Sequence, residues 1–156
     1  LVGTGPQPAM NIHLMRISGS APSVDDLNRT GSGAYPAFRT DFTAAWKLDP
    51  SASIVSAYAY DAVYALGIAI GATGTDVSRA RVAEMLLRFS GMRDKVTVGQ
   101  SNYLTAKASL AQAPGLTLQG ASGPIRFTAH GDRDSGLFEV WGIDTNNRKF
   151  TSTPFP

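Results

Sequence analysis

The sequence predicts an α/β fold, with α+β as the alternative, built by layering helices on a sheet. Three observations lead there. Helical spacing of apolar residues dominates 36–113, strand-like runs occupy 116–143 with one more at 12–17, and the helix expected over 57–71 is apolar on nearly every side, so other layers must cover it.

Residues 1–11 carry two Gly and two Pro and read as loop, after which Ile12, Leu14 and Ile17 around Met15 form a short run that suits a strand. From 18 to 34 the run SGSAPSVDDLNRTGSGA is turn and loop chemistry. Pro36 sits where a first helical turn tolerates it. Phe38, Phe42, Ala45 and Trp46 then give an apolar stripe that ends before Asp49-Pro50, so a helix with an aromatic inner face is expected.

Ile54 and Val55 allow a very short strand, and Ser56 is the expected N-cap of the helix over 57–71, whose one charge is Asp61. Its many Ala and Gly residues let the backbone lie close against a sheet. Gly67 costs about 1 kcal/mol of helicity relative to Ala, which tertiary packing must offset. Asp76 or Ser78 caps a third helix in which Val82, Met85, Leu86 and Phe89 fall at i, i+3, i+4 and i+7, Glu84 pairs with Arg88, and Gly91 ends the run. A fourth helix over 102–113 stops at Pro114-Gly115. Strands are expected at 116–118, 125–127 and 137–143, with HGDRDSG as the turn joining the last two.

Composition narrows the functional classes. Cysteine is absent, which excludes disulfide scaffolds, thiolate zinc sites and cysteine nucleophiles together. A net charge of +2, spread without a basic run, is too thin for a nucleic-acid footprint. The longest apolar stretch, 62–72, stops at Thr73, short of the about eighteen residues a membrane span needs. The chain opens at Leu1 with neither an initiator Met nor a basic-then-apolar leader, so a piece of a longer protein is expected.

Motifs for chemistry are few. Gly3-Thr4-Gly5 and Gly120-Ala121-Ser122-Gly123 are fragments of phosphate-cradle or nucleophile patterns and nothing more. His13 and His130 have no nucleophile to assist. Asp132, Asp134 and Glu139 have the wrong spacing for a calcium loop and enclose Arg133, so a hairpin turn explains them better and no metal or cofactor is expected. Asp61 is the polar oddity: either it is satisfied inside the protein, by the helix field or by local hydrogen bonds, or it joins Tyr58 and Tyr60 in a cleft that takes a carboxylate-bearing ligand.

The segment AYAYDAVYALGIAI, preceded by AYPAFRTDFTAAW and followed by GASGPIRFTAHGDRDSGLFEVWGID, resembles the C-terminal portion of type I periplasmic solute-binding proteins. These are the branched-chain amino-acid and amide receptors of ABC importers, and the likeness spans 12–144. Thr128 stands where the family usually has Asp, and His130 where Asn is common. Both departures fall in a turn.

The resemblance implies part of a two-lobed fold, with helices packed on an incomplete, mostly parallel sheet. Residues 1–20 would end the second lobe and begin a crossover, 21–120 would form the helical part of the first lobe, and 121–156 would return through a hinge strand to the second. It implies a ligand between lobes, near the turn at Gly19 and Ser20 and near Ser56, Ala57 and Tyr58, to which the cleft reading of the start of the 57–71 helix adds Asp61. It also implies an amino acid or similar small polar solute, a membrane permease as partner, and an extracytoplasmic location, free or lipid-anchored. Grip without reaction would make the protein no enzyme. A sensory ectodomain of the same fold, or an α/β enzyme with its catalytic residues elsewhere, are the alternatives. Uncovered sheet edges would favour self-association of such a piece.

Overall fold

The computed structural model describes residues 18–23, 33–52, 55–91, 94–112, 115–134, 137–144 and 149–155. They divide into two units, Leu1–Ser23 with Leu137–Pro156 and Val24–Gly136. In chain order the elements are β1 (Ser18–Ser23), α1 (Tyr35–Trp46), a 3-10 turn (Pro50–Ala52), α2 (Val55–Ala72), α3 (Arg79–Leu87), β2 (Lys95–Thr97), a second 3-10 turn (Gln100–Asn102), α4 (Tyr103–Gln112), β3 (Thr117–Gly120), β4 (Gly123–Ile125), β5 (Leu137–Asp144) and β6 (Lys149–Phe155). The mixture of helices and small sheets is the α/β class expected from the sequence.

The first unit is an antiparallel sheet in the order β1-β5-β6. Ser18–Ser23 was expected as turn and is a strand, because pairing with β5 (Ser18 to Gly142 through Ser23 to Leu137) supplies the order its composition lacks. Proline cannot donate to a ladder, and accordingly Pro22 and Pro154 lie in the two outer strands while β5 runs between them. The apolar run at 12–17 lies outside the described residues. Gly123–Ile125 and Leu137–Asp144, expected to pair across the HGDRDSG turn, belong to different sheets.

In the second unit β2 pairs parallel with β3, as the resemblance leads one to expect, and β3 pairs antiparallel with β4. Helices α2, α3 and α4 share one core with this sheet, including Ile68, Met85, Phe89, Leu110, Leu118 and Ile125. The third helix follows its sequence signals: Ser78 is the N-cap and accepts from the Arg81 N–H at 3.4 Å, Met85 and Phe89 are fully buried, and Arg88 reaches Glu84 at 3.0 Å. Arg88 also donates to the Leu110 carbonyl, satisfying the end of α4.

Helix α2 begins at Val55, two residues earlier than expected, so Ser56 is inside it and donates its hydroxyl to the Pro50 carbonyl instead of capping. The longer helix changes one reading. At 18 residues with a mean hydropathy of 1.3, Val55–Ala72 is long and apolar enough to cross a membrane by length and composition, where the sequence alone gave a stretch too short. Its inner face packs in the core through Ala65, Ile68 and Ala69, while Val63, Leu66 and Ile70 are exposed. The glycines of α2 face another helix, not the sheet: the Tyr103 hydroxyl donates to the Gly67 carbonyl, and a Cβ at Gly71 would lie 2.6 Å from that hydroxyl.

These two faces should respond very differently to substitution. Ile68→Ala, at 1% exposure, is expected to cost about 2–5 kcal/mol, and Val63→Thr, at 71%, less than about 0.5 kcal/mol, as read from urea midpoints at constant slope. Equal effects would mean that the exposed stripe is covered in solution.

Candidate ligand-binding site

Helix α2 presents its N-terminal half to α1 and to the β3–β4 hairpin. Ala57 is buried with Tyr35, Phe38 and Ala121, and the Phe38 ring lies 4.8 Å from that of Tyr60, which stacks in turn near Tyr64. Residues 57 and 61 are one turn apart, so the face that buries Ala57 also buries Asp61.

Asp61 is 3% exposed and its carboxylate is enclosed by donors from the hairpin turn. The Ala121 N–H donates to Oδ1 at 2.7 Å, and the Ser122 N–H and hydroxyl donate to Oδ2 at 2.7 and 2.5 Å. Burial pushes the Asp61 carboxyl above its ordinary value; the Ser122 hydroxyl, the two turn N–H groups and the Arg133 charge pull it back down. Backbone and carboxylate approach so closely that a Cβ at Gly120 would fall 2.2 Å from Oδ2. Only glycine leaves room there.

The turn itself explains why it needs the acid. Gly120 pairs with Gly123, leaving Ala121 and Ser122 as a two-residue loop, and neither has the positive φ that the favoured primed hairpin turns require. Gly123, at φ +112°, takes the left-handed conformation instead. Asp61 accepts both loop N–H groups, so a turn with unfavourable local chemistry is fixed from a helix about sixty positions earlier.

Ser122 carries the connection outward. While its hydroxyl donates to Asp61, it accepts from Arg133 Nη1 at 3.0 Å; Arg133 Nε and Nη2 both donate to the Pro124 carbonyl, at 3.2 and 2.8 Å. The guanidinium lies over the Tyr58 ring, 5.2 Å from its centre. Asp61, Ser122, Arg133 and Tyr58 thus form one chain from the core to a half-buried aromatic at the start of α2.

The residues singled out in the sequence are therefore not equivalent. Ser56 and Tyr58 are half-buried on the first turn of α2, whereas the side chains of Ala57 and Asp61 point inward. The turn N–H groups and hydroxyl donate to the Asp61 carboxylate, so its partners come from the β3–β4 hairpin and it holds that turn against α2. Tyr60 is in the aromatic cluster of α1. Gly19 and Ser20 lie in β1, opposite Trp141 and Val140.

Sequence reasoning missed Gly120, Ser122 and Arg133. The two glycines flanking Ala-Ser were a signal for a constrained turn, and a lone buried acid was a signal for a distant partner; nothing local joined them. In the HGDRD turn, Phe127 bridges Arg133, and the Thr128 hydroxyl accepts from the His130 N–H at 3.3 Å, so Thr does the work of a turn-forming side chain where the family usually has Asp. His130 borders a groove of about 280 Å³ formed with Leu86, Leu87 and Phe127. Asp134 pairs with Arg126 at 3.1 Å. His13 lies outside the described residues.

Residues 28–146 match the family described as the receptor family ligand binding region, and that span takes in α1 through β5 with the whole Asp61–Arg133 chain. The chain belongs to this family. It is a type I periplasmic-binding-protein-like ligand-binding region, and the family binds small molecules and is typically extracellular or periplasmic. No curated protein and no solved structure matches the chain.

Proposed function

We propose that this ligand-binding region serves an extracytoplasmic solute-binding protein of an ABC importer, free or lipid-anchored, that takes an amino acid or similar small polar solute and delivers it to a membrane permease. The family match over 28–146 carries the reading. Support comes from the first turn of α2, where the half-buried Tyr58 ring beside Ser56 supplies the kind of aromatic wall a solute site uses. Such a site requires no nucleophile or general base, and the role proposed is binding without reaction.

A thermal-shift screen of the full protein against amino acids, amides, urea and aromatic acids tests this. A true ligand at about a hundredfold its dissociation constant adds about 2.7 kcal/mol of stability. Tyr58→Ala should abolish most of that shift while leaving the ligand-free melting temperature within a few degrees. A flat response to the whole panel would sink the proposal.

The family's own description, a receptor ligand-binding region, favours a second reading as the sensing ectodomain of a signalling receptor. Permease genes found beside this one would support the importer. A kinase or a membrane span within the same gene supports the receptor.

A further inference from the structure

We propose that α2 is a self-association surface, through which two copies of this chain pair antiparallel about a two-fold axis. The exposed residues of this 18-residue helix are Val55, Ala59, Ala62, Val63, Leu66 and Ile70, and all are apolar. At 3.6 residues per turn they fall within about 50° of one line along the helix, a continuous stripe. The one charge on α2, Asp61, is buried on another side. An exposed helix face ordinarily carries polar and charged residues, so a stripe of this kind is built to be covered. Within a single copy its large members keep between 42% (Ile70) and 71% (Val63) of their surface in water, which leaves apolar area for a partner to bury.

The order of the six residues selects the partner. Their spacings along the chain are 4, 3, 1, 3 and 4, which read the same from either end, so a two-fold axis between Ala62 and Val63 sets every member opposite another. Val55 then meets Ile70, Ala59 meets Leu66 and Ala62 meets Val63, and in two of these pairs a small side chain faces a larger one. Parallel pairing would instead set Leu66 on Leu66 and Ala59 on Ala59, too wide at one level for contact at the other. With no charge in the stripe, the contact takes no ion out of water. A lipid surface fits less well: a helix lying on a membrane carries Lys or Arg along its polar flank, and α2 has neither. Val55 to Ile70 spans about 22 Å, and a face about 10 Å wide falls well short of the about 800 Å² that each partner gives to a stable interface. The pairing is therefore reversible and concentration-dependent, and it is independent of which solute the protein binds.

Sedimentation velocity of the full protein tests the pairing. The weight-average mass should rise from monomer at about 1 µM toward dimer at about 500 µM. Ala62→Glu places two like charges beside the axis and should hold the protein monomeric throughout. Its melting temperature at the lower concentration should stay within a few degrees of wild type, since residue 62 is exposed in the single copy. Cysteine substitution reads the direction, because the chain has no cysteine of its own. In antiparallel pairs Ala59 and Leu66 of opposite copies share a level, whereas like residues stand about 10 Å apart along the axis, beyond disulfide reach. Under copper–phenanthroline oxidation a mixture of the Ala59→Cys and Leu66→Cys proteins should therefore yield the mixed disulfide dimer, and either variant alone should yield little.

A monomer at every concentration overturns the proposal. In that case Ala62→Cys inert to maleimide shows the rest of the protein covering the stripe, and capture of the monomer by phosphatidylglycerol vesicles shows a lipid surface; either one replaces the second copy. Disulfides formed by each variant alone, with no more from the mixture, overturn the antiparallel arrangement. A dimer that persists in Ala62→Glu puts the interface elsewhere and overturns it as well.

Discussion

Asp61→Asn is expected to lower the unfolding free energy by about 3–5 kcal/mol, the cost of breaking a buried charge network by removing one member. Asn is the same size, so no cavity contributes. The loss comes from reversed polarity: one carboxylate oxygen becomes an amide N–H₂ facing the Ala121 N–H or the Ser122 N–H and hydroxyl, all of them donors. If the Ser122 hydroxyl turned to accept from the amide as well as from Arg133, its own hydrogen would lose its acceptor and the Ser122 N–H would still face a donor. A drop in urea midpoint at unchanged slope is the measurement, and a change under 1 kcal/mol would contradict the network.

The pH dependence has a definite sign. Because burial, the largest influence, raises the Asp61 carboxyl above its ordinary value of 3.8, its contribution is fully present below that value and declines as pH rises through the folded value. The stability gap between wild type and Asp61→Asn should therefore narrow from acid to neutral pH. A gap that widens would show that the three donors outweigh burial.

How far the sequence reveals this depends on how local each cause is. Helix α3 is legible in its cap at Ser78, its buried Met85 and its Glu84–Arg88 pair, all within a dozen residues, although it ends at Leu87 and leaves Phe89 and the expected stop at Gly91 beyond it. Helix α1 is legible only in its first half: Phe38 is buried, but Trp46, assigned to the same inner face, is 69% exposed, because the helix packs against α2 near Tyr60 and then runs free of it. Strand β1, Ser-Gly-Ser-Ala-Pro-Ser, has no β-branched or aromatic residue, and β5 alone makes it a strand.

The site follows the same rule. Asp61 announces itself as a lone acid in an apolar helix, and Gly120 and Gly123 announce a constrained turn. What joins them is contact between elements separated by α3, β2, α4 and β3. A sequence shows that a buried acid needs partners, and only the fold shows which. The same gap hid Arg133, which reads as an intrusion in a would-be calcium loop until its three donors are seen on Ser122 and Pro124.

Gly120→Ala probes that contact from the opposite side. A methyl group there would fall 2.2 Å from Oδ2 and 2.4 Å from Cγ of Asp61, inside any permissible separation, and the carboxylate cannot retreat because the N–H groups of Ala121 and Ser122 hold it. Either the hairpin lifts from α2 or the acid loses its donors. Both routes strand buried polar groups, so the expected cost is about 3 kcal/mol or more, well above the overpacking penalty of a single methyl in an adaptable core. The double variant separates this account from backbone strain. In an Asp61→Ala background the obstacle is gone, and because Gly120 does not have a positive φ, Gly120→Ala should then cost less than about 0.5 kcal/mol or even stabilise slightly. If instead the two losses add in full, the methyl group and the carboxylate do not compete for the same space, and the hairpin is held to α2 by something other than Asp61.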